Sequence, residues 1–167
     1  MITVINVENK PRQRVPEGHV RNVLDSSADG TRVHVAIVEI EAGGTHRVPA
    51  SDRTQVVYLL EGRDARITHT RAGAAAEHVA QRRSGVYLEP SEEATVTAAG
   101  TPLTLLSVTV PKHTGKAARA ASSSGYFFEE AQLRSLVDEK RIRERTFWVN
   151  TETGLSGSWD LQLGRML

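Results

Sequence analysis

The chain contains six histidines and no cysteine, which limits the chemistry that its side chains could perform. Without cysteine, disulfide bonds, thiolate metal ligands and cysteine nucleophiles are all excluded. His46 is a weak candidate for an acid or base, because an unperturbed imidazole titrates near neutrality, and an exposed loop residue is the simpler interpretation. His34 lies within a predicted strand, where it either lines a cavity or is a hydrogen-bonded core histidine. The spacing of the other four histidines is not that of metal ligands, so we expect no histidine metal site. His19 belongs to no recognisable motif, and we interpret His69, His78 and His113 as surface residues.

The stretch from residue 43 to residue 62 has two glycines that enclose a series of regularly spaced positions. This spacing resembles the first motif of the cupin superfamily, G-x5-H-x-H-x3-E-x6-G, with Gly43 and Gly62 in the glycine positions. In that family the two His and the Glu bind a metal, whereas this chain has Pro49, Ser51 and Gln55 in their places. The resemblance therefore implies a cupin barrel whose first three metal ligands are missing.

A second, looser match to the family pattern, G-x5-P-x-G-x2-H, runs from residue 84 to residue 95. Aligned on Pro90, it moves the first glycine to Gly85 and replaces the second with Glu92. The position of the fourth ligand falls on Thr95. Proline has no side-chain donor, and serine, glutamine and threonine are poor ligands for transition metals. We therefore expect neither a metal nor another cofactor.

Short segments rich in β-branched residues recur along the first 111 residues, and Gly, Pro and Asp separate them. This pattern is typical of an all-β sandwich or barrel, and the jelly roll that cupins adopt fits it. A turn is predicted at residues 26–31, which contain Asp29-Gly30, and a hairpin is predicted around residues 70–76. The predicted strands are 3–7, 21–24, 32–41, 55–61, 65–69, 77–81, 86–88, 94–98 and 103–110.

The sequence changes in character after the predicted barrel, which spans residues 1–111. Residues 112–124 lack large apolar side chains, and residues 112–126 are interpreted as a linker. Residues 128–139 predict a short amphipathic helix, because Leu133, Leu136 and Val137 have helical spacing. Strands are predicted at 146–150 and 158–167, with a turn at 151–157. We interpret residues 127–167 as a helix plus strands that form either the start of a second cupin barrel or a dimer-swapped element.

Strand alternation suggests which side chains line the barrel. If Gln55 points inward, as the family's ligand does, then Val57 and Leu59 also point inward. The resulting cavity would be apolar with a few neutral hydrogen-bonding groups, which suits a small organic molecule but not the activation of dioxygen or water. A packed core without a cavity is the alternative, and Glu92 and Glu93 are interpreted as a solvated turn. The predicted ligand-binding residues are Ser51, Gln55, Val57, Leu59, Tyr87, Thr95 and His34.

The strand at residues 55–61 is apolar on both faces, so both faces should be covered. Either the ends of the chain or a second subunit must pack on its outer face. We therefore expect a homodimer. If nothing covered this face, it would instead be an interaction surface for a partner protein.

Composition excludes several classes of function. A net charge of +1 over 167 residues argues against a nucleic-acid surface. Neither a signal peptide nor a stretch long enough to span a membrane is evident, so a cytoplasmic protein without membrane contacts is expected. The first interpretation is a metal-independent cupin that binds a small molecule, or the non-catalytic half of a larger cupin assembly. The alternative is an enzyme of the isomerase or epimerase, cyclase or aminohydrolase type, because metal-free sugar epimerases and bicupin aminohydrolases occur in the superfamily.

Overall fold

The computed structural model describes residues 6–25, 32–110 and 127–133 fully, and the backbone alone of Tyr126 and of three later strands. These residues form fourteen strands and two single-turn 3₁₀ helices, at Val7–Asn9 and Glu130–Gln132. None of the helices among the described residues is long and apolar enough to cross a membrane. The strands are β1 (Gln13–Val15), β2 (Gly18–Leu24), β3 (His34–Ile40), β4 (Thr45–Val48), β5 (Thr54–Glu61), β6 (Ala65–Arg71), β7 (Ala74–Ala80), β8 (Ser84–Leu88), β9 (Glu93–Ala98), β10 (Leu103–Val110), β11 (Tyr126–Glu129), β12 (Ser135–Asp138), β13 (Arg143–Val149) and β14 (Leu161–Met166).

The first eleven strands form two antiparallel sheets that enclose an apolar core. The larger sheet has the order β1-β2-β3-β10-β5-β8-β11, and the smaller has the order β4-β9-β6-β7. The predicted all-β jelly roll is confirmed. The buried apolar residues of the core between the sheets are Val38, Ile40, Val48, Val57, Leu59, Ala65, Ile67, Ala80, Val86, Leu88, Ala94, Val96, Ala98, Leu103 and Leu105.

The outer face of the larger sheet carries a second buried cluster, because successive side chains of a strand alternate between faces. Its buried members are Val56, Tyr58, Tyr87, Val108, Val110 and Phe128. The Tyr58 and Phe128 rings stack with their centroids 6.4 Å apart, and the Tyr58 hydroxyl donates to the carboxylate of Glu130. Residues of the chain itself therefore cover Tyr58, and this part of the face needs no second subunit. The homodimer stays a prediction.

The predicted helix at residues 128–139 is wrong. Tyr126–Glu129 forms β11, which pairs antiparallel with β8, and Ser135–Asp138 forms β12, which pairs with β13. The helical spacing of a few leucines and a valine is a weak local signal. The free edge of β8 offers backbone hydrogen bonds and burial for Phe128, and such tertiary packing overrides propensity.

Several other boundaries differ from the prediction. Strands β1 and β4 had not been predicted, and β6 and β7 extend towards each other until only Ala72 and Gly73 remain between them. Both of these residues have positive φ, as a tight two-residue hairpin turn requires. Of the predicted strand 3–7, residues 3–5 lie outside the described residues and Val7 begins a 3₁₀ helix. The predicted turns at 26–31 and 151–157 also lie outside them.

Strands β12, β13 and β14 form a separate three-stranded antiparallel sheet. Strands β13 and β14 match the predicted strands 146–150 and 158–167, with boundaries shifted by a few residues. Residues 112–125 of the predicted linker lie outside the described part of the chain. The division into domains, and the idea that this sheet begins a second barrel, stay predictions.

Candidate functional site

One end of the barrel brings together most of the positions that the sequence singled out. We call it the site end: it consists of the starts of β3 and β5, the ends of β6, β8 and β10, and the loops 49–53 and 89–92. Gln55 at the start of β5 pairs with Leu88 at the end of β8. The end of β6 reaches the same place, because Thr70 pairs with Glu93 where β9 begins.

A row of neutral polar side chains lies on the inner face of the larger sheet at the site end. Gln55, Thr109 and His34 are neighbours across β5, β10 and β3. Ser107 and Asn22 lie one step deeper, both beside the same position of β3. Gln55 is buried, whereas the other four are partly exposed. At this end the apolar core is therefore bordered by a rim of hydrogen-bonding side chains, none of which is an acid, a lysine or an arginine.

The predicted ligand-binding residues divide into two groups. Gln55, Val57, Leu59 and His34 point into the barrel as expected, and their contact with a ligand stays a prediction. The inward direction expected for Tyr87 is wrong, because it belongs to the outer cluster beside Val56. Thr95 also points outward, because its neighbours Ala94 and Val96 belong to the core. A shift of one residue in the alignment turns a strand side chain to the opposite face, which explains the error at Thr95.

The three residues at the family's first ligand positions are engaged within their own loop. The side-chain amide of Gln55 donates to the carbonyl oxygen of Pro49 at 2.9 Å. Ser51 Oγ donates to the carbonyl oxygen of Arg53 and accepts from its N–H, both at 3.1 Å. These hydrogen bonds shape the loop 49–53 and engage the Ser51 hydroxyl and one of the two N–H groups of the Gln55 amide.

A buried ionic cluster holds the opposite wall of the site end. His69 Nε2 lies 3.1 Å from Glu92 Oε2, and Arg71 Nε lies 3.0 Å from Glu92 Oε1. The backbone N–H of Glu89 also donates to Glu92 Oε2 at 2.9 Å. His69 and Glu92 are only 2% and 4% exposed. The interpretation of His69 as a surface residue and of Glu92 as part of a solvated turn is therefore wrong.

Glu93 points to the outer face, where it pairs with Arg47 at 2.8 Å. The two adjacent carboxylates therefore lie on different sides of the sheet and do not form an acid–base pair. Glu93 is partly exposed, in keeping with the solvated position expected for it.

His46 joins the two sheets instead of lying in an exposed loop. It belongs to β4, and its Nδ1 is 2.8 Å from Oε1 of Glu17 in the turn between β1 and β2. This hydrogen bond lowers the pKa of the Glu17 carboxyl, and the charge of His46 adds to the effect. Because its hydrogen bond faces the turn of β1 and β2, His46 is better explained as a sheet-to-sheet contact than as a catalytic acid or base.

His78 also differs from the surface residue that was expected. Its ring stacks on Phe127, with centroids 4.6 Å apart and an angle of 4° between the rings. Its Nε2 is buried and has no hydrogen-bond partner among the described residues. The contact bridges β7 and β11, the edge strands of the two sheets, and so helps to close the barrel. His19 lies on β2, and His113 lies outside the described residues.

The sequence analysis missed six residues of the site end, which are Asn22, His69, Arg71, Glu92, Ser107 and Thr109. Strict alternation along β10, from Leu103 and Leu105 onwards, would have placed Ser107 and Thr109 inside the barrel. The same alternation from Ala65 and Ile67 would have placed His69 inside the barrel, whereas Arg71 and Glu92 had no such signal because they lie in predicted turns.

Several solved structures have an architecture similar to that of this chain. The structure matches the formate complex of oxalate decarboxylase from Lactobacillus farciminis with a TM-score of 0.67, at 9% identity, over 88% of this chain and 60% of that one. It matches a predicted oxalate decarboxylase from Thermotoga maritima (TM-score 0.51, 15% identity) over 65% of this chain and 99% of that one. It also matches hazelnut vicilin (0.51, 15%) over 64% of this chain and 32% of that one.

The chain has a cupin fold. It spans only 33% of another oxalate decarboxylase chain that it matches with a TM-score of 0.56 at 14% identity. No family model matches the sequence, and a search of curated proteins finds no match. At these identities the likeness concerns the fold and does not extend to the activity of the matched proteins.

The residues of this cupin barrel do not fit the metal that the superfamily's motifs imply. Pro49 has no side-chain donor, the Gln55 amide is bound to the Pro49 carbonyl, and Thr95 faces away from the interior. Within the described ranges, no group of three or more His, Asp or Glu side chains could hold a metal ion. The hard and borderline cations of such sites need carboxylate or imidazole ligands that converge, and these positions supply none.

A pocket of about 350 Å³ lies elsewhere, on the outer face of the larger sheet. Arg21, Ile37, Glu39, Leu60 and Arg82 are among its lining residues. None of the predicted ligand-binding residues lines it. It is therefore separate from the site end.

Proposed function

We propose that this cupin barrel binds a small polar organic molecule at the site end through protein groups alone, without a metal. The observation that carries the proposal is the row of Gln55, Thr109 and His34 across three neighbouring strands. Small-molecule sites combine apolar walls with a few polar groups that fix orientation, and this rim above the core has that composition.

The chemistry of the rim limits what it can bind. Asn22, Ser107 and Thr109 both donate and accept hydrogen bonds, and His34 does so when neutral. Such groups suit hydroxyl, carbonyl and amide groups better than a highly charged ligand. Oxalate and formate are still worth testing, because the matched structures include oxalate decarboxylases, one of them as a formate complex.

A matched pair of variants tests the proposal. Purified protein in EDTA is screened by thermal shift against small carboxylates, sugars and amides, and calorimetry follows for compounds that raise the melting temperature. Thr109→Val removes an inward hydroxyl and should weaken binding about tenfold, whereas the same change at the outward Thr95 should leave it unchanged. Equal losses in both variants, or binding that requires an added metal, would contradict the proposal.

An enzyme is the second candidate, and His34 is the observation that favours it. Its imidazole is the titratable group of the rim, and it lies partly exposed beside Thr109. A histidine in that position could accept a proton from a bound substrate, as an isomerase or epimerase requires. For any compound that binds, exchange of carbon-bound hydrogen in D₂O, lost in His34→Gln, would support this candidate. Binding without exchange favours a binding protein or the non-catalytic half of a larger assembly.

A further inference from the structure

The positions that resemble metal ligands in the cupin motifs raise a structural question. In the family pattern, one ion would be shared by residues of two loops and two strands at this end of the barrel. Here the side chains of Ser51 and Gln55 bind backbone carbonyls of the loop 49–53, and Thr95 faces outward. Another set of contacts must therefore hold the loops 49–53 and 89–92 together.

Glu92 has the contacts that this role requires. Its carboxylate meets His69, Arg71 and the backbone N–H of Glu89 within 3.1 Å, and it is 4% exposed. A buried carboxylate is tolerated only when its lone pairs are matched by donors of this kind, and charge-assisted bonds are the strongest available. Glu92 is therefore fixed to β6 on one side and to the loop 89–92 on the other.

The loop that Glu92 shapes is bonded directly to the loop that carries Pro49. The N–H of Ser91 donates to the carbonyl oxygen of Ser51 at 2.8 Å, and the N–H of Glu92 donates to the carbonyl oxygen of Glu89 at 3.0 Å. Ser91 adopts a φ of 73°, a left-handed conformation that must be held by its surroundings. Pro49, at the start of the loop 49–53, accepts the hydrogen bond from the side chain of Gln55 through its carbonyl oxygen.

We infer that the His69–Glu92–Arg71 cluster takes the place of a metal as the brace of the site end, with Glu92 as a positioning residue for Gln55. Hydrogen bonds connect the cluster to the loop 89–92 and that loop to the loop 49–53, whose Pro49 carbonyl orients the Gln55 amide. The inference rests on the proposed function only for the role of Gln55 in binding. The brace itself can be measured without a ligand.

The test follows the Gln55 side-chain amide in ¹H–¹⁵N spectra of the full chain, assigned by its disappearance in Gln55→Met. In Glu92→Gln, exchange of this amide with water should become about tenfold faster, because loss of the charge weakens three contacts at once. Glu93→Gln is the control, since the same change at the next residue affects only an outer-face ion pair. Arg71→Gln changes a partly exposed side chain and should increase the exchange rate of the Gln55 amide about threefold. This variant replaces Glu92→Gln in the test if Glu92→Gln does not fold.

An exchange rate in Glu92→Gln and Arg71→Gln equal to that of the wild type would overturn the inference. So would an equal acceleration in Glu93→Gln, because the effect would then be unspecific. If the exchange pattern is as expected but the ligand screen finds nothing, the proposed function fails while the brace stands. The two failures are therefore distinguishable.

Discussion

The side chain of Gln55 is turned back onto its own loop, where its Nε2 donates to the carbonyl oxygen of Pro49 at 2.9 Å. Two positions that resemble metal ligands in the cupin motif therefore bind each other. Gln55 is 7% exposed, so its amide would lose a hydrogen bond without gaining water if the contact were broken. At these two positions the chain thus has an internal hydrogen bond where the family's motif has metal ligands.

Restoring the family's carboxylate should damage this loop instead of creating a metal site. In Gln55→Glu the Pro49 carbonyl would face a carboxylate that cannot donate, and we expect a loss of about 1–3 kcal/mol of unfolding free energy. Urea denaturation measures it. Gln13→Glu, at an exposed position of β1, is the control and should change stability by less than about 0.5 kcal/mol. A Gln55→Glu protein as stable as the wild type would show that the contact contributes little.

Gly85 should not tolerate a side chain. A Cβ at this position would lie 2.5 Å from the carbonyl oxygen of Val57 and 2.8 Å from the ring of Phe128. Gly85→Ala should therefore displace β11 and destabilise the fold by about 2–4 kcal/mol. Gly100→Ala is the matched control, because no atom of the described residues other than its two chain neighbours lies within 4 Å of a Cβ there. Denaturation midpoints that agree between the two variants would contradict the packing of Phe128 over Gly85.

The bond between Tyr58 and Glu130 should anchor the segment 126–133 to the outer face. Tyr58→Phe removes the donor to a carboxylate that is 5% exposed, so we expect a loss of about 1–3 kcal/mol. A double-mutant cycle with Glu130→Gln measures the coupling between the two side chains. Additive effects of the two changes would argue that they do not interact. The Tyr87 hydroxyl donates a longer hydrogen bond to Glu89, at 3.3 Å, so Tyr87→Phe should lower the unfolding free energy by less than Tyr58→Phe.

The contact between Glu17 and His46 predicts a defined dependence of stability on acid. The folded structure lowers the pKa of Glu17, chiefly through the hydrogen bond to His46. A lowered folded-state pKa contributes stability above the carboxyl's ordinary pKa, roughly 4.3, and that contribution is lost as pH falls through the folded-state pKa. As the pH is lowered from about 7 to about 3, the unfolding free energy should thus fall more steeply for the wild type than for Glu17→Gln. Parallel curves would contradict this assignment.

The fold could be predicted further than the site, and the reason is physical. Strand alternation and turn residues are local, so the sequence alone locates β3, β5, β8, β9 and β10. It does not locate β11, because the conformation of that strand depends on the edge of β8. The turn at Ser91 determines which residues of β9 face inward, and the residue pattern does not predict the φ of 73° at Ser91. Thr95 was therefore placed on the wrong face. His69 was misjudged because its partner Glu92 is distant in sequence.

The most direct test of the account is whether the folded chain takes up a divalent ion. Metal analysis of the purified full chain, followed by calorimetric titration with Mn²⁺ and Zn²⁺, measures this. We predict no stoichiometric ion and no saturable binding at the site end, because the residues at 49, 51, 55 and 95 provide no convergent ligands. One ion per chain that is lost in Ser51→Ala or Gln55→Met would contradict the account.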